Sequence, residues 1–337
     1  MKVLIVGAGS VGKRHLQNFR ALGVPAFGMV DTREDRRQEA AQEPGVVAVH
    51  ADLGAALAES YDVVVVCAPT ASHVPIGQLS LEAGAHVLME KPLSHTDDGV
   101  SALLSLARAR NRVLMVGYTY RFWPALIRLK QLLEQGAIGR VLFVDLNFSQ
   151  YLPDWHPWED YRSWFMSKRE QGGGALLDES HAIDMARWLF GEIQDVFCHS
   201  GNLSSLEMTA DDYAHLLVTF QSGAKASIHL DVFGRRPRRA LDVSGEAGNI
   251  SCDVSKGELT VYRGDRDSSE VIACSSERND MFMAEASHFL ECIAGRAAPC
   301  VSGDDAYRTL LVLMAARRSS VAGCLVSLQH STLPQVP

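Results

Sequence analysis

Three stretches of this 337-residue chain concentrate side chains that can do chemistry. In Gly7-Ala8-Gly9-Ser10-Val11-Gly12 the spaced glycines allow a tight turn and a close approach of phosphate to the backbone. A helix starting there adds N–H donors and the positive end of its dipole. Glu90-Lys91-Pro92 places a lysine just past the apolar run 85–89, with a proline to fix it. Such an ammonium can stabilise a developing oxyanion, or act as a base where burial lowers its pKa. Gly172-Gly173-Gly174-Ala175-Leu176-Leu177-Asp178-Glu179-Ser180-His181 supplies a carboxylate and an imidazole. Imidazole titrates near neutrality, so His181 suits a general base. Asp178 precedes it by one helical turn and is expected on the same helix face, able to orient the ring or bind a hydroxyl. Asp184 is the next acid on that face. Plainer readings stay open: Lys91 as a strand-end surface residue, His181 as a buried structural histidine, and Asp178 as a helix-terminal acid that the dipole favours.

The elements around these stretches follow a regular grammar. Residues 2–6 read as a strand buried on both faces, and 13–19 as the start of a helix. Strand, glycine turn and helix in that order give GxGxxG its meaning. A second strand, 26–30, ends in Asp31, 19 positions after Gly12. A dinucleotide fold places there the carboxylate that accepts the ribose hydroxyls. The same charge repels a 2′-phosphate, which favours NAD over NADP. Thr32 and Arg33 follow it, and Arg33 can stack on adenine or meet a phosphate. The next strong strand, 62–68, leads through Ala68, Pro69 and Thr70 to His73. Loops at the carboxyl ends of parallel strands bind ligands, so these four residues are candidate cofactor contacts. A structural role at a helix start is equally open for His73. Strand 85–89 brings Glu90 and Lys91 to the same edge. A helix over about 96–110 and a strand over 112–116 complete an alternation that signals a doubly wound parallel sheet.

After residue 121 the grammar changes. Residues 124–133 form an amphipathic helix stopped by Gly136. Strands 144–149, 214–220 and 226–232 alternate with period two, and Ser222-Gly223 turns the last pair into a hairpin. This predicts an antiparallel sheet with one face on helices and the other open to solvent or to a second subunit. Helices are expected over about 280–295 and 304–322, and the tail 331–337 reads as frayed. The chain is thus α/β, with a domain boundary expected between residues 121 and 122.

Composition narrows the class. With a net charge of −8 and a pI near 5.8, the chain lacks the basic footprint of a general nucleic-acid binder. No apolar run approaches the roughly 20 residues that span a bilayer, and the N-terminal apolar run is too short for a secretion signal. The seven cysteines are scattered without a CxxC pair or zinc spacing, so reduced thiols and no metal are expected. Cys67 reads as a small core residue. The expected setting is the cytoplasm.

Taken together, GAGSVG, APTASH after the strand 62–68, EKP at 90–92, YRFWPAL at 120–126 and GGGALLDESHAIDMARWLFG at 172–191 resemble the Gfo/Idh/MocA family of nicotinamide-dependent oxidoreductases. The resemblance covers nearly the whole chain. It implies a Rossmann domain (1–121) that binds NAD, and a substrate-binding and oligomerisation α/β domain (122–337) on a large, mainly antiparallel open sheet. It further implies hydride transfer at a hydroxyl or carbonyl of a sugar, amino sugar, nucleotide sugar or cyclitol, in a homodimer or homotetramer formed through that sheet. Lys91, His181 and Asp178 become the catalytic candidates. Asp178 and His181 are spaced DxxH where many members have DxxxH. The shorter spacing and the loop 151–162 resemble a subgroup of amino-sugar and surface-polysaccharide pathways.

Within that resemblance, Tyr118, Arg121, Trp155, Tyr161 and Arg162 are candidate substrate contacts beside Lys91, Asp178 and His181. The aromatic residues of 151–164 either stack on sugar rings or fill a core. Arg235, Arg236, Arg238 and Arg239 form either a solvated face or an anion clamp. Two rival activities keep the same fold: a redox-neutral lyase or hydrolase with transient oxidation by NAD, and a non-catalytic sensor of NAD and sugar. Asp31 generates the first prediction. kcat/KM should be higher with NAD than with NADP, and a clear NADP preference would show that Arg33 dominates.

Overall fold

The computed structural model describes residues 1–264, 269–274 and 276–328. The tail 331–337, read as frayed, lies outside the described residues. The chain packs as two compact units, Met1–Phe122 with Glu277–Leu310, and Trp123–Ser276 with the chain from Leu311 on.

The first unit opens with β1 (Lys2–Val6), α1 (Ser10–Ala21), β2 (Ala26–Val30), α2 (Glu34–Ala40), β3 (Val46–His50) and α3 (Leu53–Leu57). It continues with β4 (Val63–Val66), α4 (His73–Glu82), β5 (His86–Met89), α5 (Val100–Ala109) and β6 (Leu114–Val116). The six strands are all parallel in the order β3-β2-β1-β4-β5-β6. Val3, Leu4, Ile5 and the valines of β4 are fully buried, as strands covered on both faces require. The order reverses between β1 and β4, so the loops after these two strands flank the switch point where such sheets take ligands. β3 had no strong signal in the sequence: it is an edge strand, half exposed, with Val47 facing solvent.

The second unit begins with α6 (Pro124–Glu134), which carries a proline at its first position and buries Ala125, Leu126, Leu129 and Leu132. It continues through β7 (Val141–Tyr151), α7 (Ala175–Asp178), α8 (His181–Phe190), β8 (Ile193–Gly201), β9 (Tyr213–Phe220) and β10 (Lys225–Asp231). Then come β11 (Phe233–Gly245), β12 (Gly248–Asp253), β13 (Glu258–Arg263) and β14 (Ser269–Ala273). The nine-stranded sheet runs β14-β13-β12-β11-β7-β10-β9-β8-β15, where β15 is Val326–Ser327. The alternation read at 144–149, 214–220 and 226–232 puts Leu146, Leu216 and Ile228 on the buried face. One pair departs from the antiparallel expectation: β7 and β10 are parallel. The connection after β7 runs through helices α7 and α8, the kind of crossover that parallel pairing needs. The four arginines around Pro237 are not in a loop. They lie on β11, where the register with β7 shifts between Phe233 and Arg238.

The sequence reading placed everything after residue 121 in one domain, but α9 (Arg278–Ile293) packs in the first unit. Its Ala286 and Phe289 are buried in the core that holds Leu16 and Phe19 of α1. The Phe19 and Phe289 rings meet edge to face at 6.4 Å. Farther on, the Val301 carbonyl accepts a bond from Val116 N–H at the free edge of β6. Apolar burial and an unpaired sheet edge thus draw this late segment back. α10 (Gly303–Ala322) follows, its residues from Leu311 belonging to the second unit. No helix among the described residues is long and apolar enough to cross a membrane.

Candidate active site

In the first unit the glycine turn is held by contacts that exclude side chains. Gly7 sits at φ +104°, and a Cβ at Gly12 would overlap the Gly7 carbonyl. Asp31, nearly buried, holds the turn from the end of β2. Its Oδ2 accepts from Ala8 N–H at 2.8 Å and its Oδ1 from Arg33 N–H at 2.9 Å. The Thr32 carbonyl accepts from Arg37 at 2.8 Å. The Arg33 guanidinium is paired with Asp35, and that hydrogen bond is the main cause that brings the Asp35 carboxyl down to about 2. Arg36 was not singled out in the sequence. Its Nη1 lies 3.9 Å from Asp31 Oδ2 and 3.4 Å from where a Gly9 Cβ would stand, so a cation flanks the turn. A glycine cradle, a helix N-terminus and a strand-end acid suit a dinucleotide.

His73 is buried, with Nε2 3.0 Å from the Ala68 carbonyl and Nδ1 2.8 Å from the Pro92 carbonyl. It staples the loop after β4 to the loop after β5, the structural one of its two readings. Burial lowers its pKa, against the pull of the two carbonyls. Pro69 precedes the short turn Thr70–Ser72, in which Thr70 is buried. Glu90 Oε1 lies 2.9 Å from His15 Nε2, and its Oε2 accepts from Lys91 N–H at 3.3 Å. Burial alone would raise the Glu90 carboxyl, but the His15 hydrogen bond and the nearby charges outweigh it and hold it below its usual value. Lys91 is half-buried, between this anchored glutamate and Pro92. Tyr118 is buried after β6. Arg121, a candidate substrate contact, is bound inside its own unit: it pairs with Asp305 at 2.6 Å and donates to the Cys300 carbonyl at 2.9 Å.

In the second unit, Asp178 and His181 do not share one helix. Asp178 ends α7 and His181 opens α8. Between them Glu179 takes φ −84° and ψ 23°, and the bonds Ser180 N–H to Leu177 O and Ala182 N–H to Glu179 O tighten the turn. The expectation of one common helix face is therefore corrected. Asp211 sets the start of α7: its carbonyl accepts from Ala175 N–H and its carboxylate from Leu176 N–H, both at 2.8 Å. Gly174 at φ +109° is required because a Cβ there would press on that carboxylate. Burial raises the Asp211 carboxyl above its usual value. Asp184 is buried on α8.

Glu179, which the sequence reading passed over, is buried and paired with Arg239 at 3.2 Å. Arg239 also donates to Gln150 Oε1 at 3.1 Å and lies over the Phe148 ring. The signal was present: 239, 241 and 243 alternate inward with Leu241 and Val243, and Arg239 is in register with Phe148. Of the other arginines, Arg235 stacks on Tyr151 at 3.6 Å and Arg238 stands exposed near Asp242. Trp155, Tyr161 and Trp164 pack on the cluster of Leu152, Met166, Ala175 and Val232, the core-filling alternative for these aromatics. The Tyr161 hydroxyl accepts from Glu207 N–H at 3.1 Å, while Arg162 is exposed and paired with Asp160.

Comparison with known proteins shows the family and the fold. Residues 1–118 match the oxidoreductase family with an NAD-binding Rossmann fold, and residues 126–251 match the GFO/IDH/MocA C-terminal domain. A myo-inositol 2-dehydrogenase of Thermotoga maritima is 28% identical over 332 residues, covering 95% of this chain and 96% of the other. A UDP-N-acetylglucosamine 3-dehydrogenase of Acidithiobacillus ferrooxidans is 25% identical, covering 94% and 96%. The solved structure of a levoglucosan dehydrogenase in complex with NADH has the same fold, with a TM-score of 0.87 at 24% identity over 98% of this chain and 99% of the other.

The Arg239–Glu179 pair yields a prediction. Arg239→Ala leaves a buried carboxylate without its cation and should cost about 3–5 kcal/mol of stability. Arg238→Ala should cost under about 1 kcal/mol, as for an exposed pair. Urea unfolding of the two variants measures the difference, and equal small losses would refute the assignment.

Proposed function

Because this chain belongs to the Gfo/Idh/MocA family of oxidoreductases, we propose that it transfers a hydride between NAD and a secondary hydroxyl, or the matching carbonyl, of a sugar, amino sugar, nucleotide sugar or cyclitol. The observation that carries this reading is the setting of Lys91. It stands two residues past the end of β5, in a loop anchored through Glu90 to His15 and through Pro92 to His73. The names of the relatives, which act on myo-inositol and UDP-N-acetylglucosamine, support a polyhydroxylated ring as substrate.

In this reading the backbone N–H groups of Gly7 to Gly12 hold the pyrophosphate, with no side chain intervening at Gly7, Gly9 or Gly12. Asp31, Thr32 and Arg33 hold the adenosine ribose, and Ala68, Pro69, Thr70 and Glu90 line the path of the cofactor. A bound NAD would supply the hydride acceptor for the carbinol carbon. His181 takes the hydroxyl proton, and the Lys91 ammonium stabilises the alkoxide as charge develops on it. Asp178, on the separate helix α7, binds a neighbouring hydroxyl or orients the imidazole. In oxidation the proton leaves oxygen for His181; in reduction His181 returns it.

The test is a screen of sugars, cyclitols and nucleotide sugars with NAD and with NADP, followed at the NADH absorbance. Net NADH formation separates a dehydrogenase from a redox-neutral enzyme, and failure with every class would overturn the proposal. On the substrate found, Lys91→Ala should lower kcat about a hundredfold or more while NAD affinity stays near that of the parent. A folded variant with parental kcat would make the lysine structural.

The same reading places the enzyme in the cytoplasm as a homodimer or homotetramer joined through the open face of the nine-stranded sheet. Phe143, Phe197 and Leu217 support it, since they stand exposed on that face, with Leu217 and Phe197 paired across β9 and β8. Light scattering should give the mass of two or four chains, and Leu217→Asp should reduce it. A monomeric parent would refute this part.

A further inference from the structure

Glu285, on α9, is fully buried and has no role in the chemistry above. Neither of its carboxyl oxygens has a hydrogen-bond partner among the described residues. It shares its surroundings with Glu90. Both carboxyl groups converge on Gly117, just after β6: a Cβ built on Gly117 would lie 3.5 Å from Glu90 Oε2 and 3.6 Å from Glu285 Oε1. Glu90 has donors of its own, His15 on Oε1 and the longer contact from Lys91 N–H on Oε2. Two carboxylates sharing a buried site cannot both be ionised at moderate cost, and the one without donors keeps the proton.

The geometry assigns Glu285 as a positioning residue for Lys91: it is held as a neutral carboxylic acid whose O–H is directed at Glu90 Oε2. Glu90 is then clamped between His15 on one oxygen and Glu285 on the other, and the clamp sets the backbone that carries Lys91. The inference rests on the role given to Lys91 above and adds a buried proton to it.

The surroundings agree. Burial, with the charge of Glu90, pushes the Glu285 carboxyl well up, and burial does the same to the Cys67 thiol, which stays neutral. Other titratable groups on or beside the elements around α9 include Lys13, Arg14, His15 and Arg20 on α1, Lys91 after β5, Tyr118, Tyr120 and Arg121 after β6, and Arg278, Asp280, His288, Glu291 and Cys292 on α9 itself. Arg14 lies over the Phe282 ring, Arg121 is paired with Asp305, and His288 accepts from Cys300 N–H. None of them hydrogen-bonds Glu285.

The pH dependence has a definite sign. Below the ordinary carboxyl range both folded and unfolded chains carry the proton, so Glu285 costs nothing there. As pH rises past about 4.5 the unfolded chain loses the proton and the folded chain keeps it, so stability falls up to the raised folded pKa. Glutamine stays neutral and can donate N–H to Glu90, so it lacks this loss. Unfolding by urea, measured from pH 5 to 8, should therefore show the folding constant of Glu285→Gln gaining on the parent by about tenfold per pH unit. Parallel curves would overturn the buried proton.

Kinetics test the positioning. Glu285→Leu removes the donor and should lower kcat about ten- to hundredfold, the scale of a misplaced catalytic group, with the KM for NAD little changed. Glu285→Gln should restore most of the rate. Parental kcat in Glu285→Leu, alongside a dead Lys91→Ala, would overturn the positioning role and leave the role of Lys91 intact. Parental kcat in Lys91→Ala would overturn both, through a variant that leaves Glu285 untouched.

Discussion

A carboxylate taken out of water must be met by donors, and in the first unit that demand falls on Glu90. It sits at the end of β5, where the strand hands over to the loop of Lys91, and it is held by His15 from α1. His15 is in turn fixed by the helix that the glycine turn opens, and its ring packs near Phe19. Phe19 meets Phe289 of α9, the helix that also brings Glu285 to Gly117. The glycine turn, the EKP loop and a helix from the far end of the chain are therefore parts of one buried electrostatic arrangement. Hydrophobic burial brings α9 there, and the carboxylates give that docking a consequence for chemistry.

The second unit solves a similar problem with other groups. Asp211 offers both its carbonyl and its carboxylate to the start of α7, and Gly174 leaves room for it. Glu179, in the turn between α7 and α8, is buried against Arg239 of β11. The turn that presents Asp178 and His181 is thus tied to a strand rather than left to helical propensity. An ion pair of this kind is weak evidence for stability, but it fixes where the chain bends. Within the DxxH spacing, Asp178 and His181 therefore lie on two separate helices.

The arginine-rich segment shows how far pattern reading reaches. Four arginines in five positions read equally well as a solvated face or an anion clamp. The structure divides three of them by their packing: Arg239 turns inward to Glu179, Arg235 lies on Tyr151, and Arg238 faces solvent. The aromatic residues of 151–164 divide in the same way, with Trp155 and Tyr161 packed on a small core and Trp158 exposed.

The sequence by itself determined what depends on neighbours along the chain. Strand, glycine turn and helix in succession identify the nucleotide-binding half. The place of Asp31 just past β2 and of Lys91 just past β5 follows from the strand pattern, and the buried faces of β7, β9 and β10 follow from period-two alternation. Only the tertiary structure decided what depends on partners far apart. Glu285 lies 195 positions beyond Glu90 in the chain, and nothing local marks it as the occupant of the same buried site. Glu179 and Arg239 are likewise a pair made by tertiary packing, a helix turn against a strand, and α9 joined the first unit through its packing and not its position. The parallel pairing of β7 with β10 and the half-exposed edge strand β3 were hidden for the same reason: periodicity records which face of an element is buried, while the partner that buries it is set by long-range packing.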